Sequence, residues 1–352
     1  MNQTDRMTTT APESKDSHEH ASSFARIWEV LSASEKPLIT THANPDADAV
    51  SSVLAVADLL LARGKKVVPV VGDGELPDTL VFLPGAERLR NPADVQLSDF
   101  DAVFVVDCAE LHRVGPLYRK HAGWFDGTIP LVSVDHHITN SGYGVASVVD
   151  AEAAATCEIL ALMFESLNIA INPDVATCLA AGIYGDTLGL KTPSTTSRTL
   201  RVAADLVDEK ADVMTIVDSL FRVKPFSTVR LWGHVLNRVQ MLGPIVWTEI
   251  VPSMLEESGA VSSEGEGIVN FIAGTREARV GILLYENPGG WRDSLRAIAD
   301  DIDVAKLAQL YGGGGHSRAA GCTLAPGAES RDAFLKDIAN RVAALSTGVR
   351  DS

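Results

Sequence analysis

The chain has 352 residues, a length that suits two domains, each able to bury a core of its own. Asp and Glu outnumber Lys and Arg 46 to 30, and the resulting formal charge of -16 disfavours a grip along a long duplex, because sequence-independent nucleic-acid binding rests on Lys and Arg neutralising phosphates. No apolar run approaches the roughly 18 residues that cross a bilayer, so a membrane-spanning helix is excluded and a small anionic ligand remains admissible.

In chain order, residues 1–23 are polar and lack the apolar core of a secretory signal, so they read as a disordered tail of a cytoplasmic protein, with His18 and His20 a chance pair inside it. A helix is predicted over residues 24–31 and a short buried strand over 37–41. That strand runs into His42-Ala-Asn-Pro-Asp46-Ala-Asp48, and a helix follows over 49–62, closed by Gly64. Strand-like runs recur at 66–71, at 102–106 ending in Asp107, and at 130–134 ending in Asp135-His136-His137. Helices are predicted at 153–167 and 173–184, and a longer helical stretch over 191–218. The alternation implies an α/β fold, a parallel sheet with helices on both faces, whose ligands bind at the carboxyl ends of its strands.

Residues 221–227, with Pro225, read as a linker between a first domain over 24–220 and a second, smaller α/β domain with a mixed sheet over 228–347. The second domain is expected to hold strands at 245–251, 278–285 and 291–298 and helices near 267–273, 304–310 and 330–345. Cys108, Cys157, Cys178 and Cys322 are widely spaced and form no C-x-x-C pair, which argues against a zinc ribbon or a disulfide framework and fits a reducing compartment.

The polar residues concentrate where those strands end. His42, Asp46 and Asp48 share one loop, a set suited to a hard divalent cation such as manganese, magnesium or zinc. The bland account is that Asp46 or Asp48 caps the following helix; one cap suffices, and His42 is left over. Asp107 alone can serve a loop's backbone donors. Asp135-His136-His137 is stronger, since a carboxylate beside a ligating histidine fixes its tautomer. Asp186 follows Gly185, which permits close backbone approach, and precedes Thr187, a hydrogen-bond donor; a helix-terminating turn is its alternative. Finally, Gly312-Gly313-Gly314-Gly315-His316-Ser-Arg318 offers successive N–H groups, an imidazole and a guanidinium to a phosphate, leading into an expected small-residue helix. Arg296 is a further candidate on its strand.

These segments, in this order, resemble the DHH phosphoesterase superfamily with its glycine-histidine associated domain, over residues 24–347. Length and the compact linker are most similar to the NrnA group of oligoribonucleases and pAp phosphatases. The resemblance implies two manganese ions, with magnesium as the alternative: His42 and Asp46 on one, Asp48, His136 and Asp186 on the other, Asp107 bridging. It implies that His137 contacts the scissile phosphate or protonates the leaving group, that Asp135 orients it, and that Gly313, Gly314, Gly315, His316, Arg318 and Arg296 hold another part of the substrate. The expected activity is metal-dependent hydrolysis of short RNA to mononucleotides together with dephosphorylation of 3',5'-bisphosphorylated adenosine (pAp). A cyclic di-AMP phosphodiesterase is the alternative, and a non-catalytic nucleotide sensor the remote one. Members are often dimers, so a homodimer is the expectation for assembly. Ser51 stands where members often have glycine, a modest departure.

Overall fold

The computed structural model describes residues 15–71, 76–96, 100–265 and 267–347, and the chain divides into two compact units between Val223 and Lys224. The division falls inside the stretch expected to be a linker. Of the expected N-terminal tail, residues 1–14 lie outside the described residues. The rest is corrected: helix α1 spans Lys15–Ala33. Phe24, Ile27 and Leu31 recur at helical spacing and are buried, which anchors the helix, and propagation from an anchored helix into polar residues costs little.

The first unit then runs β1 (Pro37–Thr40), α2 (Ala47–Leu61), β2 (Val68–Val70), β3 (Ala102–Val106), α3 (Pro116–Lys120), β4 (Leu131–Asp135), β5 (Ala146–Val149), α4 (Thr156–Ser166), α5 (Pro173–Asp186), α6 (Ser197–Asp208) and α7 (Val213–Val217). The five strands form one wholly parallel sheet in the order β2-β1-β3-β4-β5. Residues of β1, β3 and β4 are buried on both faces, which is why these strands read as continuous apolar runs. On β3, Phe104 and Val106 join the core with α1, α2, α4 and α5, while Val103 and Val105 join the opposite one with Leu117 and Phe125. The chain reverses its progress across the sheet between β1 and β3, the point at which such sheets open a ligand crevice.

Two expectations in this unit change. The stretch 191–218 is not one helix: α6 ends near Lys210, whose φ of 72° breaks it, and α7 passes into a π-helical turn at Asp218–Arg222. Strand β5 was not anticipated. It follows β4 without a crossover helix, and its half-buried pattern lacks the continuous apolar signal of its neighbours.

The second unit contains α8 (Phe226–Leu236), β6 (Gln240–Leu242), β7 (Ile245–Ile250), α9 (Pro252–Ser258), α10 (Ile268–Ile272), β8 (Val280–Asn287), β9 (Gly290–Ala297), α11 (Val304–Gln309), β10 (Gly314–His316), β11 (Ala319–Gly321), β12 (Thr323–Leu324) and α12 (Ala328–Thr347). Its mixed sheet follows β10-β11-β9-β8-β7-β6, with β12 also on β9 and only β7 and β8 parallel. The small-residue segment after His316, expected as a helix, is therefore a hairpin. Ala319 and Ala320 pair with β9, and sheet completion outweighs the helix preference of alanine. Among the described residues no helix is long and apolar enough to cross a membrane.

Candidate metal centre

The loop after β1 places three of the candidate side chains by three different devices. His42 is 5% exposed; its Nδ1 lies 2.8 Å from the Ala43 carbonyl, which accepts the Nδ1 proton and leaves Nε2 as a lone-pair donor. Asp46 is the N-cap of α2, its Oδ1 accepting from the Ala49 amide at 3.0 Å. The cap account is thus correct for Asp46, yet its second oxygen lies 4.0 Å from His42 Nε2. Asp48 is not a cap for α2. It is fully buried and accepts from the Thr156 and Cys157 amides at 2.6 and 2.9 Å, so the first turn of α4 holds it with its positive dipole end.

Asp107, at the end of β3, takes a left-handed φ of 51°, a region that Asp enters more readily than most residues. The turn directs its carboxylate both ways. Oδ2 lies 3.6 Å from His42 Nε2, and Oδ1 lies 3.6 Å from His136 Nε2 and accepts from the Thr156 hydroxyl at 3.0 Å. From the end of β4, His136 reaches Asp186 Oδ2 at 3.3 Å, with its Nδ1 3.4 Å from the Ala153 carbonyl. His137 Nδ1 lies 2.7 Å from Asp135 Oδ1, and the other Asp135 oxygen accepts from Asn140 at 2.7 Å.

Asp186 arrives from the last turn of α5, and glycines bring that helix close. A Cβ at Gly182 would overlap Cys157 Sγ and lie 2.6 Å from Asp48 Oδ1, and one at Gly185 would lie 2.5 Å from Ala47 Cβ. Donor atoms within 4.8 Å of one another then fall into overlapping sets: His42, Asp46 and Asp107; Asp48, His136 and Asp186; and Asp107, His136 and His137.

The electrostatics of these sets call for a cation. Burial and then the neighbouring carboxylates Asp48, Asp46 and Asp107 push Asp186 up to about 10; burial and then Asp107 push Asp48 up to about 7. Burial likewise works against ionised Asp107, but the hydrogen bond to His42 and the charge of His136 hold it below the usual carboxylate range. Burial favours the neutral His42 ring, but the bond with Asp107, the bond to the Ala43 carbonyl and the charges of Asp107 and Asp46 together push it up to about 9. Four carboxylates packed this tightly repel one another without a counter-charge. Carboxylates with a minority of imidazoles make a donor set that fits a divalent cation.

Comparison with known proteins agrees with the order of these segments. The family description "DHH family, N-terminal domain" matches residues 36–183, and "DHHA1 domain" matches residues 250–344. A bifunctional oligoribonuclease and PAP phosphatase NrnA from Thermus thermophilus is 32% identical over 302 residues, covering 85% of this chain and 87% of the relative. The chain belongs to the DHH family of phosphoesterases. The NrnA of Bacillus subtilis is 26% identical, covering 86% and 93%. Among solved structures, an exopolyphosphatase-related protein from Bacteroides fragilis superposes with a TM-score of 0.83 at 19% identity, covering 92% of this chain and 98% of that one. RecJ in complex with Mn2+ from Thermus thermophilus gives 0.54 at 14%, covering 92% and 54%.

In the DHHA1 unit the glycine run lines a cavity of about 580 Å³. Gly312–Gly315 and Gly321 form one wall, and Arg296 stands with Asp293 and Tyr311 around the rest. The glycines are required by the hairpin as well: a side chain on Gly313 would overlap the Gly321 carbonyl and Cys322. His316 is exposed at the end of β10, and Arg318 donates to the Ala299 carbonyl and pairs with Asp300. Neither lines the cavity, so of the residues expected to bind substrate here the hairpin gathers Gly313, Gly314, Gly315 and Arg296.

Sequence reasoning missed Thr156, which supports Asp48 by its amide and Asp107 by its hydroxyl, and Asn140, which holds Asp135. Both sit in positions that only the packing of α4 and the 136–145 loop defines. The legible signal was Thr156-Cys-Glu158, polar residues at the start of an otherwise apolar helix.

Proposed function

We propose that this DHH phosphoesterase hydrolyses short oligoribonucleotides to mononucleotides and dephosphorylates pAp, using two divalent cations, manganese in preference to magnesium. The observation that carries the reading is the Asp107 carboxylate, whose two oxygens each lie 3.6 Å from a different imidazole, His42 of the set with Asp46 and His136 of the set with Asp48 and Asp186. His42 and Asp46 would hold one ion, Asp48, His136 and Asp186 the other, with Asp107 between them. Two ions in such an arrangement lower the pKa of attacking water and neutralise charge developing on the phosphate.

The remaining side chains have tasks of their own. Asp135 accepts from His137 Nδ1, which fixes the tautomer and, more than burial opposes it, raises the affinity of that ring for a proton. His137 is thereby suited to pair with a phosphate oxygen or to protonate the departing one. Arg296 and the amides of Gly313, Gly314 and Gly315 offer a second anionic group a partly desolvated guanidinium and backbone donors, and His316, exposed at the end of β10, offers an imidazole outside that lining. The two NrnA relatives carry names for the same pair of activities. A chain charge of -16 fits short substrates better than polymers, and four free buried cysteines fit the cytoplasm.

The test is mononucleotide release from diadenylate and from pAp, with manganese and with chelator, for the native chain and Asp107→Ala. AMP from both substrates, lost on chelation and in the variant, is expected. Turnover surviving Asp107→Ala would overturn the bridging assignment. Faster hydrolysis of cyclic di-AMP than of either would favour the cyclic-dinucleotide reading.

A further inference from the structure

Beside the turn that carries Thr156 and Cys157 lies a buried ionic group. Glu158, in the first turn of α4, is fully buried and accepts three bonds: from Arg198 Nε at 2.7 Å, from the Thr199 hydroxyl at 2.9 Å and from the Ala154 amide at 2.9 Å. Arg198, in the first turn of α6, also lies 2.9 Å from Asp150 Oδ2, so one guanidinium ties both ends of the segment between β5 and α4. Asp150 in turn receives the Glu152 amide at 2.9 Å and donates its own amide to the Asp135 carbonyl at 3.1 Å.

That segment is what shapes the metal centre. Its Ala153 carbonyl receives His136 Nδ1, its Thr156 and Cys157 amides hold both oxygens of Asp48, and its Thr156 hydroxyl holds Asp107. Residues from all three donor sets therefore depend on where five consecutive residues sit. A buried ion pair is a poor source of stability as such, since well-packed apolar residues of similar volume serve as well or better. Its value is directional: a planar guanidinium holds two carboxylates along fixed directions, which the freely rotating ammonium of a lysine does not impose.

We propose that Glu158 and Arg198 are positioning residues for the metal centre, bracing the Ala153–Cys157 turn so that His136, Asp48 and Asp107 present their donor atoms together. The inference rests on the two-cation reading above. Outer partners of metal ligands typically change metal affinity about 10- to 100-fold when removed, which sets the size of the expected effect.

The experiment is calorimetric titration of manganese into the metal-free full chain, with thermal melts in parallel, for the native protein, Glu158→Gln, Arg198→Lys and Leu117→Ala. Leu117 is buried in the core on the opposite face of the sheet and serves as a control for lost stability. Glu158→Gln and Arg198→Lys should each weaken manganese binding about 10- to 100-fold, with turnover recovered at saturating metal, while Leu117→Ala lowers the melting temperature and leaves the affinity within about twofold. Unchanged affinity in both brace variants overturns the proposal, as does an equal loss in Leu117→Ala or a failure of both brace variants to fold, which would make the pair a fold element. A native chain that takes up no manganese would overturn the metal-centre reading itself.

Discussion

Asp293 shows how a buried carboxyl group away from the metal centre sets a pH response. It is 2% exposed on β9, accepts from the Cys322 amide at 2.7 Å and from the Cys322 thiol, and burial pushes it up to about 6 against those two bonds. The folded-state value lies above the ordinary 3.8, so the proton is bound more tightly in the folded chain. Its contribution to stability is therefore complete below about pH 4 and is lost as pH rises through about 6. Urea melts of the native chain against Asp293→Asn between those limits should show the native protein losing on the order of 2–3 kcal/mol relative to the variant. Parallel curves would contradict this. At the same scale, Asp107 in the left-handed region places strain at the proposed bridging position, held by the bond from its amide to the Val134 carbonyl at 3.0 Å. No pattern in Val-Phe-Val-Val-Asp107 announces that φ, because it is imposed by the neighbouring strand.

Among elements, α5 carries the tightest constraint. Gly182 and Gly185 let it approach α4 and α2 closely enough to deliver Asp186, a role the sequence suggested for Gly185 and concealed for Gly182. Gly182→Ala gains helix propensity of up to about 1 kcal/mol, yet its methyl meets Cys157 and Asp48, both held by backbone and packing. Overpacking of this kind costs about 1–3 kcal/mol, so the variant should be destabilised in urea melts and should bind manganese more weakly. A more stable variant with native metal affinity would show that α5 has room to retreat. In contrast, the small-residue segment after His316 reads as a helix and instead forms β11 of a hairpin. Gly, Ala and Ser carry little periodic signal, and what decides their conformation is the free edge of β9, which no local pattern encodes.

For the whole molecule, charge sets the approach of substrate. A chain of -16 repels an anion before any contact forms, and that repulsion is screened over about 10 Å at 0.1 M salt. With manganese saturating, kcat/KM for diadenylate should stay level or rise between about 0.05 and 0.3 M KCl, whereas a protein relying on many phosphate contacts loses affinity steeply over that range. A tenfold or greater fall would indicate a basic surface that dominates the net charge. The sequence by itself determined the parallel sheet and the strand-end positions of His42, Asp107 and His136, because buried parallel strands read as nearly continuous apolar runs and the acidic and imidazole side chains cluster where those runs stop. It also determined the family, through several separated motifs in fixed order. The tertiary structure alone decided that Asp48 is held by the amides of α4, that Thr156 supports two acidic side chains, that Glu158 and Arg198 brace the turn between them, and that Arg318 turns to Asp300. Each of these joins residues far apart in the chain or turns on which neighbour a long side chain meets, and such choices are made by packing rather than by local pattern.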